Sequence, residues 1–319
     1  MAAEKVSIFT GQMRTDFDTA WAQLNAEQAP WEAWTDKFPS ASRIEHISWM
    51  TPTPGIGRYT GARRYGAISQ YTYKIENLEY DGAFRIPLRD IEDDLTGGYA
   101  KKPAELAKEA RNWPNYLGLA ALAAGATATA YDGTTFFRDS GGEGTIDNKI
   151  APSITGTATA DHVLYFLYHG GPLKPLFYLD RKGPRPGDTG GLETSFEEKA
   201  VKYWVDIEGA VGYGWPWDAV KVTLTKTPSL AECEQIMREI INAFRGFKAP
   251  KGLATDIDKY PHEQTQFSTA NATLFCSGTG IEYLFKTVLT QSPLTVVNSN
   301  VTGQYLGMAN VLVSNVLNP

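Results

Sequence analysis

Between Pro103 and Gly125 apolar residues recur at steps of three and four: Leu106, Ala110, Trp113, Leu117, Ala121 and Ala124. That spacing predicts a helix with one buried stripe, leaving Glu105, Lys108, Glu109, Arg111, Asn112 and Asn115 outside. Pro103 suits the first helical position and Gly125 the position just past the end. A straight helix of this length would run roughly 30 Å. Pro114 lies inside it and withholds the N–H that Ala110 would receive, which predicts a kink or two stacked helices. A second, broader stripe, Leu230, Cys233, Ile236, Met237, Ile240, Ile241 and Phe244, predicts a helix over 228–247. Ser229 and Glu232 form a capping box at its start, and Gly246 and Pro250 end it. Ile281, Leu284, Phe285, Val288 and Leu289 predict another near 280–290.

Elsewhere the pattern is extended. Strands are predicted at 43–50, around Tyr71, Tyr73 and Ile75, at 163–168, 176–179, 201–207 and 220–224, and near 294–297 and 311–313. Asp81-Gly82 reads as a hairpin turn between 78–80 and 84–86. Residues 51–57 alternate Pro and Gly in a way no helix admits, and 55–66 carries four glycines with Arg58, Arg63 and Arg64. This predicts a ribbon projecting from the body. The stretch 132–161, rich in Gly, Ser, Thr and Asp, predicts a long connection. Residues 1–40 read as an arm. Thr15 caps a short helix bearing Phe17, Ala20, Trp21 and Leu24, followed by Trp31, Trp34 and Phe38 between Pro30 and Pro39. So many large rings cannot be buried within so short a segment, so the arm must lie on its own body or on a neighbour. Removing 1–40 is expected to leave a soluble body.

Charge and chemistry narrow the picture by exclusion. The chain has 319 residues, enough for two domains, and a net charge of −6 with no basic run among aromatics, which argues against a dedicated nucleic-acid binder. Cys233 and Cys276 stand in no metal or redox spacing and read as buried free thiols, which suits a reducing, cytosolic site of folding. The N-terminus has no hydrophobic signal core, and no apolar run approaches the roughly 20 residues that span a bilayer. His46, His162, His169 and His262 fall in separate segments with no second ligand at metal spacing. No nucleophile elbow, phosphate loop or dinucleotide fingerprint occurs. Asp90, Glu92, Asp93 and Asp94 form the densest carboxylate run, but it lacks the alternation and central glycine of a calcium loop. Pairing with arginines, or placement beside a helix start, suits it better. The prediction is no catalytic residue, no cofactor and no metal.

Several stretches in shared order resemble the Mu-like bacteriophage major head (capsid) subunit family. They are Gly57-Arg-Tyr-Thr-Gly61-Ala-Arg63, Tyr73-Lys-Ile-Glu-Asn77, Arg89-Asp-Ile-Glu-Asp-Asp94 with Gly98-Tyr99, and Tyr131-Asp-Gly-Thr-Thr-Phe-Phe137. Leu173-Lys-Pro-Leu-Phe177, Arg181-Lys182 with Pro184, Tyr203 to Tyr213 and Gly307 to Ser314 continue the series. Tyr59 departs from the family's usual tryptophan, and the insert at 185–200 is this chain's own. The resemblance implies an α+β chain of the HK97-like capsid fold. Its expected parts are an N-terminal arm (1–48), an extended β loop (49–80), a peripheral domain (81–227) with spine helix 103–125, and an axial domain (228–319). It implies a bacteriophage shell subunit assembled from itself as hexamers and pentamers in the bacterial host cytoplasm. Portal and scaffolding proteins, and in some shells a cementing protein, would be its partners, with double-stranded DNA enclosed but not read and no membrane. Trp21, Trp31 and Trp34, with Arg58, Arg63 and Arg64 facing Asp90, Glu92, Asp93 and Asp94, are the expected subunit-interface residues. An encapsulin-like cellular compartment shell and an unrelated soluble α+β enzyme are the alternatives.

Overall fold

The structure is a computed structural model and describes residues 2–50, 61, 63, 70–93, 98–141, 145–155, 159–189, 199–248, 262, 265–290 and 305–317. In chain order the elements are α1 (Ala2–Asn25), β1 (Thr35–Pro39), β2 (Ile44–Met50), β3 (Gln70–Glu76), β4 (Leu78–Pro87), α2 (Leu88–Asp93) and α3 (Lys102–Ala124). They continue with β5 (Lys149–Ile150), β6 (Thr159–Tyr168), β7 (Leu176–Asp188), β8 (Ala200–Tyr213), β9 (Ala219–Lys226), α4 (Leu230–Gly246), β10 (Ala272–Cys276), α5 (Thr279–Thr290) and β11 (Asn310–Val313).

Strand β6 shows how the layers stack, because both its faces are buried. Leu164 and Phe166 join a core with the α4 stripe, Val220, Val222 and Leu224 of β9, Leu274 of β10, and Phe285 of α5. Val163, Tyr165 and Leu167 point the other way, onto Leu119 and Leu122 of α3, Leu176 and Tyr178 of β7, and Trp31 and Trp34. A period of two on one strand thus feeds two cores. The five-stranded sheet runs β11-β10-β6-β9-β5 and the four-stranded sheet β1-β7-β8-β4, while β2 and β3 form a separate antiparallel ribbon. The capping box appears in full: Ser229 accepts from the Glu232 N–H while the Glu232 side chain accepts from Ser229. β10, from beyond the 227/228 boundary expected between the domains, pairs with β6, from before it, in one sheet.

Three further expectations change. The arm is a 24-residue helix, not a short one, and it lies along α3 with Met13 and Phe17 buried. After it, β1 pairs in parallel with β7. Asp81-Gly82 is no turn: β4 runs straight through it, with Asp81 opposite Asp206 and Gly82 opposite Val205. Glycine is needed there for closeness, because a Cβ would stand 3.1 Å from Leu106 Cδ2 on the crossing α3. Finally, α3 is one continuous helix across Pro114, and its buried stripe is Pro103, Ala107, Ala110, Pro114, Gly118, Leu119 and Leu122. Of the predicted face only Ala110 is fully buried. Small residues face inward because the neighbours come close: a Cβ on Gly118 would sit 2.6 Å from Trp34 Cη2. The strand predicted at 294–297 lies outside the described residues.

Candidate contact surfaces

The groups that most resemble chemistry are sealed. His262 Nε2 lies 2.9 Å from both Asp218 Oδ1 and the Trp217 carbonyl, and Nδ1 lies 3.2 Å from Thr265 Oγ1. Tyr168, Phe244 and Phe267 close around the ring, and burial pushes the Asp218 carboxyl up to about 6. With both side chains at most 5% exposed, no substrate reaches this pair. His162 rests on Thr227 and His169 on Thr273, each lowered by burial. The Cys233 thiol is pushed up to about 12 by burial, and Cys276 is raised as well, so both are poor nucleophiles. Among the described residues no three His, Cys, Asp or Glu side chains converge to hold a metal. Among them, too, no helix is long and apolar enough to cross a membrane.

What remains is surface. Trp31 and Trp34 are corrected as interface residues: they are 4% and 1% exposed and fill the chain's own core. Trp31 donates its indole N–H to the Arg111 carbonyl at 3.1 Å, and Trp34 meets Phe275 of β10 edge-on at 5.2 Å. Of the two seats open to the arm's rings, the body takes these two. Trp21 is half-buried and stacks on Phe17 at 6.3 Å. Arg63 is exposed, while Arg58 and Arg64 lie outside the described residues. Asp90 and Asp93 sit on the short helix α2, where Arg89 lies 4.0 Å from Asp90. Asp94 and the Glu92 side chain lie outside what is described.

The ribbon of β2 and β3 is rooted on the four-stranded sheet. Asn77 donates to the Ser40 hydroxyl at 2.7 Å and to the Ser42 carbonyl at 2.8 Å. The Ser40 hydroxyl and the Ser42 and Ala41 N–H groups together hold the Glu45 carboxyl at about 2. Ile75 packs with Phe177, Leu179 and Ala210, covering one half of the sheet's open face.

The other half is charged, and sequence reading passed over it. Glu79 stands opposite Glu208, and Asp81 opposite Asp206, on the face turned away from α3. Like charges directly opposite on paired strands oppose the pairing. β7 compensates in part: Arg181 and Lys182 pair with Glu208, and Arg185 aligns with Asp206. No hydrogen bond or ion pair engages Glu79, Asp81 or Asp206 among the described residues. A cleft of about 310 Å³ lies between them, lined also by Lys182 and Arg185. The signal available beforehand was the alternation Glu79-x-Asp81 and Asp206-x-Glu208, masked by reading Asp81-Gly82 as a turn.

Comparison with known proteins gives these surfaces a context. The family described as Mu-like prophage major head subunit gpT matches residues 6–254. The Mu-like prophage FluMu major head subunit of Haemophilus influenzae is 32% identical over 205 residues. That alignment covers 58% of this chain and spans 64% of the relative's length. Among solved structures, the bacteriophage JBD30 capsid superposes with a TM-score of 0.71 at 17% identity over 92% of both chains. The JBD30 procapsid gives 0.68 at 21% over 98% of both. A JBD30 capsid decorated with minor capsid protein trimers gives 0.66 at 18% over 92% of both. The fold is therefore the HK97-like capsid fold, built here as α+β.

Proposed function

The chain belongs to the Mu-like prophage major head subunit gpT family, and from that premise we propose that it is the major capsid protein of a tailed double-stranded DNA bacteriophage or prophage. In this reading it is a structural protein, not an enzyme, and copies of it close into an icosahedral head as hexamers and pentamers. The observation that carries the reading is the family match over residues 6–254, with the superposition on the JBD30 capsid over 92% of both chains supporting the fold. The sealed His262–Asp218 pair and the two buried thiols with raised values support a scaffold role over a catalytic one.

The parts take roles accordingly. The first 48 residues are an arm bound to its own body, the ribbon from β2 to β3 is the extended loop, α3 is the spine, and the five-stranded sheet with α4 and α5 is the axial part. Trp21, Arg58, Arg63 and Arg64 are proposed as contacts to neighbouring subunits, with Asp90, Glu92, Asp93 and Asp94 among the carboxylates that receive them. Each solvated pair contributes about 0–1 kcal/mol, so repetition around the shell must supply the strength. The net charge of −6 suits a wall that encloses DNA without gripping it. Portal and scaffolding proteins, and a cementing protein on the outside, complete the set of partners, with assembly in the host cytoplasm. The decorated JBD30 capsid supports the last of the three partners by likeness. Light scattering of the purified protein followed by negative-stain microscopy tests the proposal. Closed particles are expected, and a protein that stays monomeric under all assembly conditions refutes it.

A further inference from the structure

We propose that the outer edge of β4 joins, antiparallel, to the same strand of a second copy of this chain, in a two-fold pair centred on Gly82. The inference rests on the shell reading above, because a closed shell of many copies holds two-fold neighbours, and it names the strand that they share.

β4 ends the four-stranded sheet, and among the described residues no strand lies on its outer side. It runs 10 residues against β8 in unbroken register, and every second residue turns its N–H and carbonyl outward. A straight, uncovered edge of that length is a template for another strand. Its charges follow a symmetry. Glu79 stands opposite Glu208 toward one end, and Arg85 stands opposite Lys202 toward the other. By the alternation of a strand, both rungs lie on the face turned away from α3. Each sets like charges across a strand pair, which opposes the pairing within the chain. β7 relieves the acidic rung from the inner side alone, through Arg181 and Lys182. The two rungs have opposite sign, and Gly82 lies midway between them.

Turning a second copy about Gly82 therefore lays each rung beside its opposite. Glu79 faces Arg85 of the second copy, and Arg85 faces that copy's Glu79. Asp81 comes opposite Ala83, so no carboxylate is set directly against another. On the other face Tyr80 meets Phe84, an aromatic pair, and Leu78, 52% exposed in the single chain, meets Ile86. Open space runs along this edge between β4 and α3: a cleft of about 230 Å³ beside Tyr80 and Trp113, and one of about 410 Å³ beside Phe84 and Tyr99. Neighbouring registers that also match the faces fail. Centring on Tyr80 sets Glu79 against Asp81, and centring on Asp81 sets that carboxylate against its own copy. Centring on Ala83 draws Pro87, which has no N–H, into the ladder.

Two measurements on purified full-length protein test the pairing. In the first, assembly is followed by light scattering. Glu79→Arg and Arg85→Glu each turn one rung within the chain from like to opposite charge, so each variant subunit should melt no lower than wild type. Each nevertheless sets like charges across the two-fold contact twice, and should need about fivefold more protein to assemble. The double variant restores opposite charges there and should assemble within about twofold of the wild-type concentration. In the second, Asp81→Cys and Ala83→Cys subunits are mixed, assembled and oxidised. These two positions lie side by side across the contact and should give a covalent dimer on a non-reducing gel. Either variant alone, with its thiols on the diagonal, should give far less. The native Cys233 and Cys276 are buried and should stay silent. Overturning results are single charge swaps that assemble like wild type, a double swap no better than the singles, or closed particles whose mixed cysteines yield no dimer. If a cysteine variant does not assemble, the charge swaps decide. A wild type that never assembles sinks the shell reading and this pairing with it, whereas particles that close without the crosslink sink the pairing alone.

Discussion

Replacing Trp34 by Ala separates two roles for the arm. Its indole is 1% exposed, lies on Gly118 of α3 and meets Phe275 of β10 edge-on at 5.2 Å. It therefore fastens the arm to both the spine helix and the five-stranded sheet. Truncating a buried indole costs about 3–5 kcal/mol, a large share of the 5–15 kcal/mol by which domains are stable. With a urea slope of roughly 3 kcal/mol per molar, the unfolding midpoint of the unassembled subunit should fall by about 1–1.7 M, followed by far-UV circular dichroism. Gly118→Ala makes the complementary test, since its Cβ would meet the ring at 2.6 Å. It should cost about 1–3 kcal/mol in wild type and much less beside Trp34→Leu, which leaves room. A Trp34→Ala subunit as stable as wild type that nevertheless fails to assemble would show the ring turned toward a neighbour and refute this reasoning. Deleting 1–40 should for the same reason yield insoluble protein, contrary to the expectation of a soluble body. It removes the parallel β1 ladder together with Met13, Phe17, Trp31 and Trp34.

The Arg138–Asp132 pair is 2.7 Å long with side chains 3% and 1% exposed, so Asp132→Asn should lower stability by about 3–5 kcal/mol in thermal melts. Replacing both partners by apolar residues of similar size should recover part of that loss. Ser229→Ala, which removes the α4 cap, should cost about 1 kcal/mol by calorimetry. The Ser229 N–H and the Thr155 hydroxyl and N–H hold the Glu232 carboxyl at about 2 against an ordinary 4.5, and Glu45 is held there by Ser40 and its neighbours. A lowered carboxylate contributes fully above 4.5 and loses that contribution as pH falls toward 2, so the melting temperature should drop across that window, less steeply in Ser229→Ala. Cys233 and Cys276 should resist a thiol reagent at neutral pH in the folded subunit and react once it is unfolded, as their raised values require.

Elements set by local chemistry could be read in advance. The α4 stripe and its capping box need only residues within one helix, and β6, β8 and β9 announce themselves by their own apolar runs. What escaped reading depends on partners distant in the chain. Asp81-Gly82 has every local mark of a turn, and only β8 alongside and α3 above hold it straight. The buried side of α3 is chosen by how near Trp34 and α1 approach, which favours Ala107, Pro114 and Gly118 over the larger Trp113 and Leu117. Whether an aromatic arm binds self or neighbour is a matter of packing that composition leaves undecided, and for Trp31 and Trp34 the packing is internal. The charged sheet face was hidden because two short Glu and Asp alternations, far apart in sequence, acquire meaning only in register.

The parallel pairing of β1 with β7 has a bearing on synthesis. The Lys174 N–H donates to Asp36 Oδ2 across 138 residues, so the opening segment cannot dock until well over half the chain has left the ribosome. Until then Trp31, Trp34 and Phe38 travel with no strand to lie against. Such late closure slows folding and leaves oily surface exposed to aggregation. The parallel β1 ladder thus closes only after β7 has been made, so the beginning of the chain is fitted in after its middle.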